Sequence, residues 1–195
     1  MGYTTLTFQS DADIATIALT RPEKRNAISA QMISDLLGAL EQAESSAVRL
    51  AVETGRSVTF VATGEARDAE MAARIDAHRR ERPTAWTTLE EPLDLRGALE
   101  RAPEADTVVV DCLSLWVANL LERGLEPDDV AEVAAGRAAP TIAVSNEVGL
   151  GIVPATELGR VFRDLLGRVN AAWVDASDRA LFVVAGRALE LKEPA

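Results

Sequence analysis

One cysteine, Cys112, and one histidine, His78, stand in a chain of 195 residues. A lone cysteine excludes an internal disulfide and fits a reducing compartment, so a cytoplasmic location is expected. One histidine with one cysteine leaves no zinc cluster. Basic charge is short as well: 20 Lys and Arg against 31 Asp and Glu give a net charge of −11 and a pI near 4.6. That balance argues against general nucleic-acid binding, which needs basic surface to displace counterions. Lysine is nearly missing, with only Lys24 and Lys192. No apolar run approaches the ~20 residues of a membrane span. The start MGYTTLTFQSD lacks the basic and apolar regions of a signal peptide. There is no internal repeat, no low-complexity tract and no G-x-S-x-G elbow. Hydrophobic residues are plentiful at 48%, enough for the core of one domain with or without a short appendage.

The most informative stretch is 61–92, VATGEARDAEMAARIDAHRRERPTAWTTLEEP. From Arg74 to Arg82 it sets four arginines against Asp76 and Glu81, a local balance of +2 in an acidic chain. Such a reversal of sign suits an anion, because guanidinium forks pair with phosphate oxygens. Asp68 is placed to cap a helix in which Met71, Ile75 and His78 share one stripe. Two readings of His78 stay open on this pattern. It is a core-edge histidine satisfied by a hydrogen bond, or it is a nucleophile that attacks an α-phosphate while the arginines offset the developing charge.

Taken in order, TTLTFQS (4–10) and IATIALT (14–20) predict two short strands around Asp11-Ala12-Asp13. After the loop RPEKRNA, Ser29 caps an expected helix with apolar positions at Ile33, Leu36, Leu37, Leu40, Ala43 and Ala47, running to about Val52. Thr54-Gly55-Arg56 stops it. A strand over 57–63 precedes the helix that carries His78, which Pro83 ends. TAWTTLEEP is expected to be extended, and Leu93 to Arg101 helical. TVVVDCLSLW (107–116) is an apolar run broken by an acid, the mark of a buried parallel strand with Asp111 at its C-terminal edge. Helices are expected over Ser114–Glu122 and 130–135, and a buried strand from Thr141 opens into a glycine-rich loop at Asn146-Glu147. Residues 155–176 give the cleanest amphipathic helix, through Leu158, Val161, Phe162, Leu165, Val169, Ala172 and Trp173. ALFVVAG (180–186) reads as a last buried strand and RALELKEPA as a tail or edge strand. Buried strands alternating with helices make an α/β fold with a mostly parallel sheet, whose ligands bind beyond the strand C-termini. Thr63-Gly64, Asp111 and Asn146-Glu147 all fall at such ends.

From about Ser45 onward the chain resembles the bifunctional adenosylcobinamide kinase/adenosylcobinamide-phosphate guanylyltransferase family of cobalamin biosynthesis. The matching stretches are ETGRSVTFVAT, DAEMAARIDAHRRERPTAW, TLEEP, VVVDCLSLW, SNEVGLGIVP and FRDLLGRVN. The resemblance implies a P-loop-type (RecA-like) sheet flanked by helices, and a homo-oligomer, a trimer. It implies phosphorylation of the cobinamide aminopropanol hydroxyl with ATP or GTP, then transfer of GMP from GTP through a guanylyl-histidine. It makes His78 that histidine. It places Thr63, Gly64, Glu65, Arg79, Arg80, Glu81, Arg82 and Glu90 where the family contacts nucleotide, and Asp111 as the acid that binds Mg²⁺ directly or through water.

The N-terminus departs from that pattern. The family opens with a G-x-x-x-x-G-K-S loop whose backbone N–H groups and lysine hold phosphate. Here the register falls on residues 38–45, where Gly38 and Ser45 keep the ends but Ala43 and Glu44 replace the second glycine and the lysine. Residues 1–44 instead resemble the start of the enoyl-CoA hydratase (crotonase) family, with Arg21-Pro22 and Asn26-Ala27 matching R-P-x-x-x-N-A. The expected domains are therefore a crotonase-like segment over 1–44 and a nucleotide-binding domain over 45–195. The foreign strand–loop–helix could fill the space of the missing first strand and helix, bringing Lys24 and Arg25 toward the phosphates. The expected function is cobinamide phosphorylation and GMP transfer, impaired by loss of the P-loop. The alternatives are a non-catalytic guanine-nucleotide or corrinoid-binding scaffold, or a non-functional chimeric chain.

Overall fold

The computed structural model describes residues 6–11, 14–19, 51, 54–151, 153–184 and 187–191. They fall into two compact units, one holding the strands near the two ends of the chain and the other holding residues 51–177.

The larger unit is built on a four-stranded parallel sheet of β3 (Val58–Ala62), β4 (Thr87–Glu90), β5 (Thr107–Asp111) and β6 (Thr141–Val144), in the order β4-β3-β5-β6. The crossovers carry α1 (Ala69–Glu81), α2 (Leu95–Arg101), α3 (Leu113–Glu122) and α4 (Ala131–Ala135), and α5 (Glu157–Asp175) follows β6. The two central strands are the apolar runs expected of a parallel interior: four of the five residues in each of β3 and β5 are buried. The edge strands β4 and β6 are largely exposed and half-buried respectively, so Thr141–Val144 is less sheltered than its sequence suggests.

Successive side chains along a strand point to opposite faces. Val61, Val108 and Val110 therefore pack against Leu99 of α2, Trp116 and Val117 of α3 and Leu166 of α5. Val58, Phe60 and Val109 form a smaller cluster on the other face with Ala51 and the half-buried Trp86. Trp116 is fully enclosed, and its indole N–H donates to Leu93 O at 2.8 Å. That bond pins the chain leaving β4 onto α3.

Helix limits follow local chemistry. The Asp68 carboxylate accepts from Met71 N–H at 2.7 Å, the expected cap of α1. Pro83 bars Arg82 from helical backbone, and Arg82 is extended at φ −69°, ψ 140°. Thr156 caps α5 through Gly159 N–H. In α5, Leu165, Leu166 and Val169 are buried, whereas Leu158 and Val161 are 63% and 43% exposed. The apolar stripe expected over the whole helix is thus fully covered only through its middle turns.

In the smaller unit, β1 (Leu6–Asp11) and β2 (Ile14–Leu19) pair antiparallel with Asp11 opposite Ile14, and β7 (Ala180–Val184) pairs antiparallel with β8 (Arg187–Leu191). Two expectations are corrected here. The strand at 180–184 is not a buried member of the parallel sheet: it forms a two-stranded sheet with β8, and Leu181 and Val183 are exposed. Likewise 14–19 does not stand in for a first parallel strand. It pairs antiparallel with β1 in a two-stranded sheet, and among the described residues no strand of the parallel sheet is hydrogen-bonded to it. The loop RPEKRNA with Lys24 and Arg25, the helix expected from Ser29, and Gly38, Ala43, Glu44 and Ser45 lie outside the described residues.

Candidate active site

The C-terminal edge of the parallel sheet sets three strand ends side by side. Ala62 of β3 is in register with Glu90 of β4 on one flank and with Asp111 of β5 on the other. Neighbours in register share a face, so two carboxylates flank a methyl group on the side of the sheet that carries Phe60.

The end of α1 supplies the positive charge. Extended by Pro83, Arg82 lies with its guanidinium 3.8 Å from the centroid of the Phe60 ring, a cation–π contact, and Phe60 in turn stacks on Trp86 at 6.2 Å. The Arg82 Nε and one terminal nitrogen are buried without a hydrogen-bond partner. Burial works against the Arg82 charge, Asp111 favours it, Arg79 opposes it, and Glu90 favours it. Arg79 bridges to Glu90 and lies 3.3 Å from Asp76. Arg80 is exposed, and Glu81 closes the helix.

Asp111 is half-buried. Burial pushes its carboxyl above the ordinary range, and the charges of His78 and Arg82 pull it part of the way back. His78 is itself half-buried on α1, along the same stripe as Met71 and Ile75. Asp111, His78, Arg82, Arg79 and Glu90 are thus gathered at one rim of the sheet, although up to 33 positions separate them in the chain.

Thr63, Gly64 and Glu65 are tied to α3. Thr63 is fully buried; its hydroxyl accepts from Cys112 N–H and donates to Cys112 O, both at 2.8 Å, and its own N–H reaches Asp111 O at 3.0 Å. Gly64 sits beneath Ile75 and Leu115, where a Cβ would meet both at ordinary contact distance. The Glu65 carboxylate is taken by Arg123 at 2.7 Å and Arg67 at 3.1 Å. Arg123 holds that acid below its ordinary range, against the opposing effect of burial and with help from Arg67. At the end of β6, Asn146 N–H donates to the buried Ser114 hydroxyl at 2.8 Å, and Gly149 N–H donates to Glu147. Sequence reading passed over Arg67, Asn119 and Arg123. The one available signal was a single asparagine inside the apolar helix LSLWVANLLE.

Among the described residues no group of three or more His, Cys, Asp and Glu could hold a metal ion, and no helix is long and apolar enough to cross a membrane. The family described as cobinamide kinase / cobinamide phosphate guanyltransferase matches residues 37–191. The chain belongs to this family. Among curated members, the bifunctional adenosylcobalamin biosynthesis protein CobP of Pseudomonas aeruginosa is 42% identical over 153 residues, covering 75% of this chain and 88% of that protein. The CobU proteins of Salmonella typhimurium and Escherichia coli are 35% and 34% identical, each over 69% of this chain and 86% of their own length. The match to the cobinamide kinase / guanyltransferase family starts at residue 37 and so takes in Gly38 to Ser45.

Cys112, next to Asp111, does not look like a second nucleophile for this family site. It is 8% exposed, and burial pushes its thiol up to about 11. A thiol with that pKa is about 0.1% thiolate at pH 8, and only the thiolate attacks. The native chain is expected to resist a thiol-reactive dye at pH 8 and to react fully with one equivalent in denaturant. Rapid labelling of the folded protein would contradict the burial seen here.

Proposed function

We propose that the chain moves GMP from GTP to adenosylcobinamide phosphate through a guanylyl group on His78, and that its kinase step is impaired. The gathering of His78 and Arg82 around Asp111, with Arg79 and Glu90 beside them, is the observation that carries this reading. A neutral imidazole nitrogen attacks the α-phosphorus, and pyrophosphate leaves with the electrons of the broken P–O bond. A phosphate oxygen of adenosylcobinamide phosphate then attacks the same phosphorus, breaking the P–N bond and freeing the imidazole. Both displacements build negative charge on the non-bridging oxygens, which guanidinium groups stabilise. Arg82 suits that task because two of its buried nitrogens have no acceptor in the protein.

Thr63, Gly64 and the Arg79–Arg82 segment with Glu90 are proposed as nucleotide contacts. Glu65, held by two arginines, would act there as an anchor of the loop. Mg²⁺ is proposed to sit on Asp111, directly or through water. A single strand-end carboxylate fits this ion, which commonly keeps waters and substrate phosphates as its other ligands. When bound it would neutralise part of the triphosphate charge. Residues 1–44 are proposed to be a crotonase-like segment in place of an intact P-loop, ahead of a nucleotide-binding domain over 45–195. The setting is proposed to be the cytoplasm, with assembly as a trimer.

The test is incubation with α-³²P-GTP and Mg²⁺. Acid-labile, alkali-stable label on His78 is expected, as is its passage to adenosylcobinamide phosphate. No label at millimolar GTP would overturn the transfer reading. Ala43 and Glu44, where the family's phosphate grip belongs, favour a second reading as a binding scaffold. In that case calorimetry would find GMP bound nearly as well as GTP, with no covalent label.

A further inference from the structure

We infer that Asn119 is a positioning residue for GMP transfer, holding the exit of β3 that leads to His78 and the exit of β4 that follows Glu90 in one fixed relation. This rests on the transfer reading above, because it assigns Asn119 a part in that reaction.

Asn119 is 3% exposed, in the middle of α3. Its amide nitrogen donates to Thr63 O at 2.7 Å and to Pro92 O at 3.1 Å. Thr63 is the first residue after β3 and opens the loop into α1, which carries His78. Pro92 lies two residues after Glu90 at the end of β4. One amide group therefore ties together the exits of two adjacent strands, and both of its hydrogens are used. Its oxygen is used too, accepting from Arg67 at 2.5 Å. Arg67 reaches on to Glu65 and Glu122, and Arg123 joins Glu65 to the Asn119 carbonyl at 3.1 Å. Every polar atom of the asparagine amide is satisfied by a segment distant in the chain.

The chemistry of the clamp is selective. No other side chain of this size offers two hydrogens and an acceptor from one planar group without charge. The surrounding ion pairs are part-exposed and of small individual worth. The bonds through Asn119 are buried, where an unmatched carbonyl is costly. The role inferred for the clamp is indirect. It acts through the placement of the loop 63–68, and a shift of about 1 Å at a reacting group can cost about 10²-fold in rate.

Asn119→Asp is the decisive variant. It keeps an acceptor for Arg67 but replaces the two-hydrogen donor by an oxygen facing two carbonyls. The single-turnover rate of label appearance at saturating α-³²P-GTP is expected to fall by about 10- to 100-fold, with the half-saturating GTP little changed. A purely structural role would lower the labelled fraction and leave the rate of the folded fraction alone. Arg67→Met, at a side chain 35% exposed, leaves the core intact and is expected to slow label by a smaller factor in the same direction. Amide hydrogen exchange over 63–68 and 91–95 reads the clamp without any reaction, and faster exchange is expected in both variants. Unchanged exchange would overturn the inference whatever the label does. Faster exchange with a wild-type rate of labelling would overturn the positioning role. Faster exchange in a protein whose wild type takes no label would leave the clamp standing and overturn the transfer reading instead.

Discussion

His78→Ala is expected to abolish covalent label from α-³²P-GTP and to lower GMP transfer by at least about 10³-fold, the scale on which losing a nucleophile normally acts. The chain has one histidine, so no neighbour can substitute for it. The remaining nucleophiles near the rim are poor candidates. Cys112 is a buried thiol with its pKa pushed up to about 11, and the Thr63 hydroxyl is fully buried and engaged with the Cys112 backbone. Asp111 and Glu90 are carboxylates, whose acyl phosphate products would be lost in alkali, where a phosphorylated imidazole survives. Stability in alkali therefore separates an imidazole adduct from a carboxylate one, and lability in acid separates it from a hydroxyl ester, before any variant is made. Alanine at this half-buried position removes a ring from the stripe it shares with Ile75, which packs over Gly64. The melting transition is expected to move by only a few degrees, as a part-buried truncation of about 1 kcal/mol does. A labelled His78→Ala protein would end the guanylyl-histidine reading.

The site is partly legible in the sequence. Asp111 could be placed at a sheet rim because β5 is a run of β-branched residues that ends in an acid. Asp68 and Pro83 marked the two ends of α1 by local chemistry alone, and both marks agree with the structure. What the chain order could not give was the register that sets Glu90 and Asp111 on either side of Ala62, since parallel partners are chosen by tertiary packing. The extended Arg82 folded over Phe60 follows from Pro83 in hindsight, but its ring partner lies 22 positions away. Asn119 was illegible for the same reason: its three partners come from Thr63, Arg67 and Pro92. Glu65 was read as a nucleotide contact from resemblance, and two arginines of the protein already occupy it. The strand at 180–184 misled because apolar composition tells that a segment pairs and not with whom. ALFVV is as apolar as VTFVA, yet it pairs with β8 in a hairpin-like sheet of its own.

Restoring the phosphate grip should separate the two activities most sharply. In the register that places Gly38 and Ser45 at the ends of the family's loop, Ala43→Gly and Glu44→Lys rebuild its second glycine and lysine. In that register Glu44 carries the wrong sign of charge for a phosphate. A unit charge ~4 Å from a phosphate charge is worth ~4 kcal/mol at an effective dielectric of ~20. Reversing the sign doubles that to ~8 kcal/mol before screening. Solvent and salt reduce it to the order of 1–2 kcal/mol at an open site, still about 10-fold in affinity. The gain falls on the triphosphate and spares the monophosphate, because the lysine of such a loop reaches the β- and γ-phosphates. The unaltered chain is therefore expected to show strongly reduced phosphorylation of adenosylcobinamide by ATP. In the double variant calorimetry should give GTP a preference over GMP of about 10-fold or more, the converse of the charge penalty above. His78 labelling should respond far less at saturating GTP, since the imidazole attacks the α-phosphorus and not the terminal phosphates that the lysine holds. An unchanged ratio of GTP to GMP affinity would show that residues 38–45 do not meet the nucleotide, and would remove the degenerate P-loop from the mechanism while leaving the His78 rim intact.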